Sequence, residues 1–247
     1  MEHIGIKADI LFHLGPLPVT NTMLTAWLVM FVLIIGSIIV SGKLKRNPGR
    51  LQNLAEMVIE GLLNFFETIA GSREVAIRFF PIAATIFFFV LLSNWAGILP
   101  GIGSIGVREI HDGHETFVPL FRSVYSDLNM TLALALIVVT LSHLYGLITV
   151  GAKHHLGKFI TFKGPIAFFT GILEIVSEIS KIISLSFRLF GNIFAGEVLL
   201  IIVGSLVPLI ATVPFLGLEL FVGLIQAAIF AVLAMVAFSM FTRAEGH

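Results

Sequence analysis

Arg188 and Glu197 lie in a hydrophobic stretch, Ser186-Phe187-Arg188-Leu189-Phe190-Gly191-Asn192-Ile193-Phe194-Ala195-Gly196-Glu197, that offers neither of them a local ion-pair partner. A charge inside the apolar slab of a bilayer costs about 2.5 to 3.5 kcal/mol even on lenient insertion scales, so a charged residue at that depth marks function. Arginine is the sharper of the two, because a glutamate can become neutral and a guanidinium cannot. A permanent cation there repels any proton or metal ion that tries to pass and attracts a carboxylate presented by another subunit. The chemistry this points to is ion transfer on a moving acid.

At about 100° per residue, with Arg188 as zero, Lys181 falls near +20°, Ser184 near −40°, Asn192 and Glu174 near +40° and Glu178 near +80°. One helical stripe carries them all, while Glu197 lies on the opposite side, about 13.5 Å further along. Ser184, Leu185, Gly191 and Asn192 occupy the positions three and four away from Arg188, so its own helix supplies no counter-charge. The other deep acid is Glu219, with Gln226 two turns later on the same face. By order along an antiparallel pair, Glu197, Glu219 and Gln226 lead from outside, and Ser184, Glu178 and Glu174 lead inward. Arg188 stands between the two routes.

Such residues need elements that cross a membrane, and the composition provides them. Hydrophobic residues make up 57% of the chain and charged ones only 12%, with a mean hydropathy of +1.03, which indicates an all-α polytopic membrane protein. Runs without Asp, Glu, Lys or Arg cover Ile10 to Gly42, Phe79 to Val107, Leu128 to Ala152, Val198 to Leu218 and Leu220 to Thr242. Each can hold the span of about 20 residues that a bilayer demands. About five membrane-crossing helices are expected in a single integral membrane domain: 20–42, 79–100, 126–150, and a long, steeply tilted pair at 165–204 and 208–242. Pro165 suits a first helical position, and the stretch it opens would be about 58 Å long, nearly twice a perpendicular span. Pro208 and Pro214 mark the turn between the pair.

Residues 1–19 are expected outside, with no cleavable signal peptide, since Glu2, Lys7 and Asp9 precede the first apolar run. Lys43, Lys45, Arg46 and Arg50, then Lys153, Lys158 and Lys163, then Arg243 fall on alternate connectors and set the cytoplasmic side. Leu51 to Ala70 mixes Glu56, Glu60 and Glu67 with a strip of Leu, Val, Phe and Ile. Two placements stand for this amphipathic segment, along the inner membrane surface or as a hairpin arm packed on other helices.

Other features exclude functions. Fifteen basic and fifteen acidic residues balance to zero, which gives no reason to propose nucleic-acid binding, and the absence of cysteine rules out disulfides and thiolate metal sites. His111, Asp112, His114 and Glu115 gather metal-ligand types without the HExxH spacing that puts two histidines on one helix face, so a solvated acidic loop is expected and no metal. His154-His155 sits in a basic turn facing water or headgroups. No GxxxxGKS or GxxxxGKT loop is present, so ATP chemistry and catalytic residues are not expected on this chain. His143 reads as a proton relay or as a hydrogen-bonded helix contact, Lys181 as a side chain snorkelling inward, and Asn94 and Trp95 as packing residues. Glu197 and Glu219 could each make one interhelical hydrogen bond, which is compatible with a channel.

The block from Ser186 to Glu197 closely resembles the signature of subunit a of the rotary F-type ATP synthase, the stator that faces the ring of c subunits. Ser93-Asn94-Trp95-Ala96-Gly97-Ile98-Leu99-Pro100-Gly101 looks like that family's SNxxGxxPG segment, and Ser126-Asp127-Leu128-Asn129-Met130-Thr131 is similar to its DxNxT segment. The resemblance runs from about Trp27 to the C-terminus. It implies that Arg188 is the essential arginine opposite the c-ring carboxylate, and that Asn192, Glu197 and Gln226 match polar channel residues. Glu219 stands where some members carry histidine, so a channel-histidine role does not transfer. The expected outer half-channel is Glu197, Glu219, Gln226 and Asp127, and the expected inner one is Asn192, Ser184, Glu178 and Glu174. The implied partners are the c ring, a b-type peripheral stalk, the catalytic head indirectly, and membrane lipid, with no cofactor. The implied location is a bacterial plasma membrane, with the N-terminus outside and the C-terminus cytoplasmic. Against this proton-translocating stator stand a self-contained secondary transporter, for which no internal repeat is found, and an intramembrane metalloenzyme.

Overall fold

Within a bilayer only a chain's own hydrogen bonds can satisfy its backbone, so long apolar runs become helices. The structure, a computed structural model, describes residues 8–42, 49–99, 101–111, 114–152, 155, 157, 159, 164–206 and 212–242, without the side chains of 51, 109–111, 114–116, 241 and 242. Lys43, Lys45, Arg46, Asp112, Lys153, His154, Lys158, Lys163, Pro208 and Arg243 lie outside the described residues, as do the side chains of His111, His114 and Glu115. Six long helices are present among the described residues: α1 Asn21–Ser41, α2 Arg50–Ala70, α3 Arg73–Ile98, α4 Leu128–Val150, α5 Pro165–Leu206 and α6 Thr212–Thr242. All but α2 are long and apolar enough to cross a membrane.

The helix ends follow local chemistry. Thr20 caps α1 by accepting from the Met23 amide at 3.4 Å. α3 begins at Arg73 rather than near residue 79, with Glu74 in its first turn, where an acid complements the helix dipole. α4 starts at Leu128 because Val124–Ser126 form a short 3-10 turn and Asp127 caps the helix. α5 spans 42 residues, about 63 Å. α6 opens at Thr212, so Pro214 sits inside its first turn, where a missing N–H costs no helical bond.

Two short ribbons lie outside the all-helical expectation. β1 (Ile10–Leu14) pairs antiparallel with β2 (Leu17–Thr20), turning at Gly15 with φ +66°. β3 (Gly106–His111) pairs antiparallel with β4 (His114–Pro119), in the stretch expected to be a solvated loop.

The chain divides into two compact units, residues 1–46, 87–131 and 187–228 in one, and 47–86, 132–186 and 229–247 in the other. In the first, the start of α1 is polar and fully buried at Asn21, Thr22 and Thr25. The Asn21 side-chain amide donates to Asp9 Oδ2 at 3.2 Å and to the Pro119 carbonyl at 3.4 Å, and Thr22 Oγ1 donates to Asp127 Oδ2 at 3.3 Å. Asn94 and Trp95 donate to the Gly223 and Leu220 carbonyls, both at 3.1 Å, clamping α3 to α6 as interhelical glue.

In the second unit the core is aromatic. Phe79 is fully buried, stacked on Phe238 at 5.5 Å and edge-on to Tyr145 at 5.2 Å. α2 and α3 form a hairpin around Gly71, whose φ of +80° closes α2 in the left-handed conformation that glycine tolerates. Phe66 of α2 packs edge-on against Phe80 of α3 at 6.1 Å, whereas Leu54 and Met57 stay exposed. α2 is therefore a hairpin arm with its C-terminal half packed and an open apolar strip at its N-terminal half.

Candidate functional site

Three elements of the first unit bring two acids to one cavity. α5 contributes Glu197, α6 contributes Glu219, and the loop before α4 contributes Arg122 and Ser123. Arg122 reaches Glu197 with two donors, Nε to Oε1 at 3.2 Å and Nη2 to Oε2 at 3.4 Å, an Arg–carboxylate fork. The backbone amide of Arg122 is itself held by Thr25 Oγ1 at 3.2 Å. Glu219 is buried and, among the described residues, accepts no hydrogen bond and joins no ion pair. A Cβ at residue 196 would overlap the Glu219 carboxylate, so glycine there gives the acid its room. The cavity, of about 60 Å³, is lined by Asn94, Gly97, Ser123, Ile193, Glu197 and Glu219, among others. That is space for several waters at about 10 to 15 Å³ each. Asn94 Oδ1 and Ser123 Oγ are buried on its wall without a protein partner, as polar atoms that face water are.

Arg188 sits on the exposed flank of α5 and, among the described residues, forms no hydrogen bond or ion pair. One turn further on, Asn192 Nδ2 donates to Gln226 Oε1 at 2.8 Å, joining α5 to α6 beside the cation. The two amides, expected on opposite routes, are thus one contact.

Asp127 does not line the cavity. Its carboxylate accepts from the Asn129 backbone at 2.9 Å and side chain at 3.1 Å and from Thr22, so its oxygens are spent on capping α4 and tying it to α1.

In the second unit, Glu178 Oε2 stands 3.5 Å from His143 Nε2 and its Oε1 accepts from Lys181 Nζ at 2.7 Å. His143 Nδ1 lies 3.2 Å from His155 Nε2, so His143 is at least the hydrogen-bonded contact that its sequence position allowed, and His155 is buried rather than facing water or headgroups. Lys181 pairs with Glu178 and is otherwise exposed. Glu174 is half-buried and Ser184 exposed, and neither has a side-chain partner among the described residues.

Residues 23–239 match the family described as ATP synthase A chain. The chain belongs to that family. Among its relatives, ATP synthase subunit a, chloroplastic, of Stigeoclonium helveticum is 39% identical over 214 residues, covering 87% of this chain and 81% of the relative. ATP synthase subunit a of Desulfotalea psychrophila is 36% identical over 229 residues, covering 91% and 84%, and ATP synthase subunit a 1 of Hahella chejuensis is 32% identical over 232 residues, covering 94% and 88%. The ATP synthase A chain family is that of the proton-translocating stator subunit, and this member is an integral membrane protein.

Arg122 is the residue of the site that motif and periodicity overlooked in this family member, because it belongs to a loop and has no place on a helical wheel. A signal existed. Both the loop, with Arg108 and Arg122, and the Glu197 end of α5 are expected on the outer side from the basic connectors, and arginines on the same side as two deep acids invite pairing.

Proposed function

We propose that this chain, as the family's proton-translocating stator subunit, exchanges protons with a ring of c subunits through two offset half-channels kept apart at Arg188. The observation that carries this reading is the state of Arg188: a permanent cation in an apolar segment, exposed on α5 and unpartnered among the described residues. An uncompensated charge away from water costs several kcal/mol. A carboxylate arriving on a neighbouring subunit relieves that cost, and it can do so only in its ionised form. A ring acid that reaches Arg188 therefore gives up its proton, while the cation bars free ions from crossing directly.

The outer route runs through the polar cavity of Glu197 and Glu219, with the Asn192–Gln226 bond as the seam between α5 and α6 next to Arg188. Asp127 serves that route by holding the loop that carries Arg122. Ser184, Glu178 and Glu174 supply the inner route, with His143 beside Glu178. α5 and α6 lie tilted in the membrane to present a long face to the ring, and α2 lies toward the inner surface. The partners are the c ring, a b-type peripheral stalk and, through them, the catalytic head, where the ATP chemistry takes place. The setting is a bacterial plasma membrane, N-terminus outside and C-terminus inside. Each proton that crosses 100 mV delivers about 2.3 kcal/mol, so several pass for each ATP made.

The test is Arg188→Ala in the assembled complex in vesicles. ATP-driven proton pumping should fall about a hundredfold or more, as losing a charge interaction of 2.5 to 3.5 kcal/mol implies, with subunit assembly retained. Wild-type pumping by that variant would overturn the reading.

A further inference from the structure

We propose that Arg122 is a positioning residue of the outer route, acting through Glu197. It pins that carboxylate to the cavity wall, so that Glu219 is the acid that exchanges protons. This inference rests on the stator reading above and deepens it.

The two acids share a cavity and differ in how they are held. Glu197 receives the fork of Arg122 on both oxygens, and the pair is largely withdrawn from solvent, with side chains 11% and 28% exposed. A planar guanidinium with two aligned donors fixes a carboxylate in place and in rotation, which a mobile ammonium does less well. Arg122 is itself fixed from behind. Its amide bonds to Thr25, whose hydroxyl donates to the Asn21 carbonyl at 3.0 Å, and both residues are fully buried. Glu219 faces the same space with no hydrogen bond among the described residues, and the remaining wall (Asn94, Gly97, Ile98, Ser123, Ile193 and Leu200) carries no other ionisable group. A hydronium entering the cavity transfers its proton to a Glu219 oxygen and leaves water. The same O–H bond breaks when the proton moves on toward the ring, and Glu197 keeps its place throughout.

The experiment measures ATP-driven proton pumping by the whole complex in vesicles, with assembly quantified for each variant. Arg122→Gln should lower pumping about tenfold, because it leaves a partly buried carboxylate unpaired. Arg122→Lys should restore it to within about threefold, since the charge returns without the fork. In the double variant Arg122→Gln with Glu197→Gln, pumping should recover to about the level of Glu197→Gln alone, the non-additivity expected of residues that act as a pair. Glu219→Gln should lose nearly all of it. Wild-type pumping by Arg122→Gln, or losses that multiply in the double variant, overturns the proposal. If Arg122→Gln does not assemble, the double variant decides: assembly and pumping support the pairing, and a second failure to assemble overturns it. Arg188→Ala, run alongside, separates the two readings. Normal pumping there removes the stator reading, whereas a dead Arg188→Ala with an unaffected Arg122 series removes only the role of Arg122.

Discussion

At position 196 a single methyl group competes with the Glu219 carboxylate for the same space. The carboxylate is the far end of a flexible side chain, so the fold can absorb a Gly196→Ala substitution by turning the acid aside. The expected outcome is a complex that assembles normally while proton flux falls by up to about a hundredfold, as displacing a reacting group by an ångström or so produces; unchanged flux would show that the position of this acid is immaterial. Asp127 predicts the reverse pattern. Its oxygens cap α4 and hold Thr22, so Asp127→Ala should lower stability by about 1 kcal/mol, as the loss of an N-cap does, and Asp127→Asn should keep most of it. Thermal unfolding of the purified complex in detergent measures both. The contrast also shows what was legible at this scale. Arg188, Glu197 and Glu219 stood out because charge in oil is rare, whereas Asp127, grouped with them, looks the same in a motif whether its carboxylate faces a proton path or a backbone amide.

Although α5, with Glu174, Glu178, Lys181, Arg188 and Glu197 along it, had to be read from Pro165 and its helical period, the other membrane-crossing helices announced themselves through long charge-free runs. Their ends did not, because Arg73, Glu74 and Arg78 are polar without being helix breakers, and Pro214 is tolerated in a first turn. The two ribbons were hidden for another reason: residues 10–20 belong to the same apolar run as α1, and composition cannot separate a ribbon from the helix that follows it. Gly15-Pro16 and Asp112-Gly113 were the readable turn signals, one for each ribbon. The α2–α3 hairpin carries a stability prediction of its own. Phe79 anchors the aromatic core that joins α3 to Tyr145 and Phe238, and lipid cannot refill the hole left by its removal. Phe79→Ala should cost about 3 to 5 kcal/mol, read as a lowered unfolding midpoint, with Phe79→Leu far milder; equal midpoints for Phe79→Ala and the parent would mean that the second unit is held elsewhere.

For the molecule as a whole, the pairing of its charges separates two ways of life. A self-contained transporter would neutralise its deep cation internally, whereas Arg188 has no partner among the described residues. The chain reconstituted alone in vesicles should therefore drive no coupled uptake, and uptake without ring subunits would favour the transporter. The buried polar start of α1 also bears on how such a chain is made. Asn21, Thr22 and Thr25 find their partners at Pro119, Asp127 and Arg122, roughly a hundred codons downstream, which at about 5 to 20 residues per second leaves α1 waiting about 5 to 20 s. Throughout that interval the nascent chain must rely on bonds made within its own first segment, Thr25 to the Asn21 carbonyl, Asn21 to Asp9 and Thr22 with Thr20, which hold the polar edge of the first span until the later loop is synthesised.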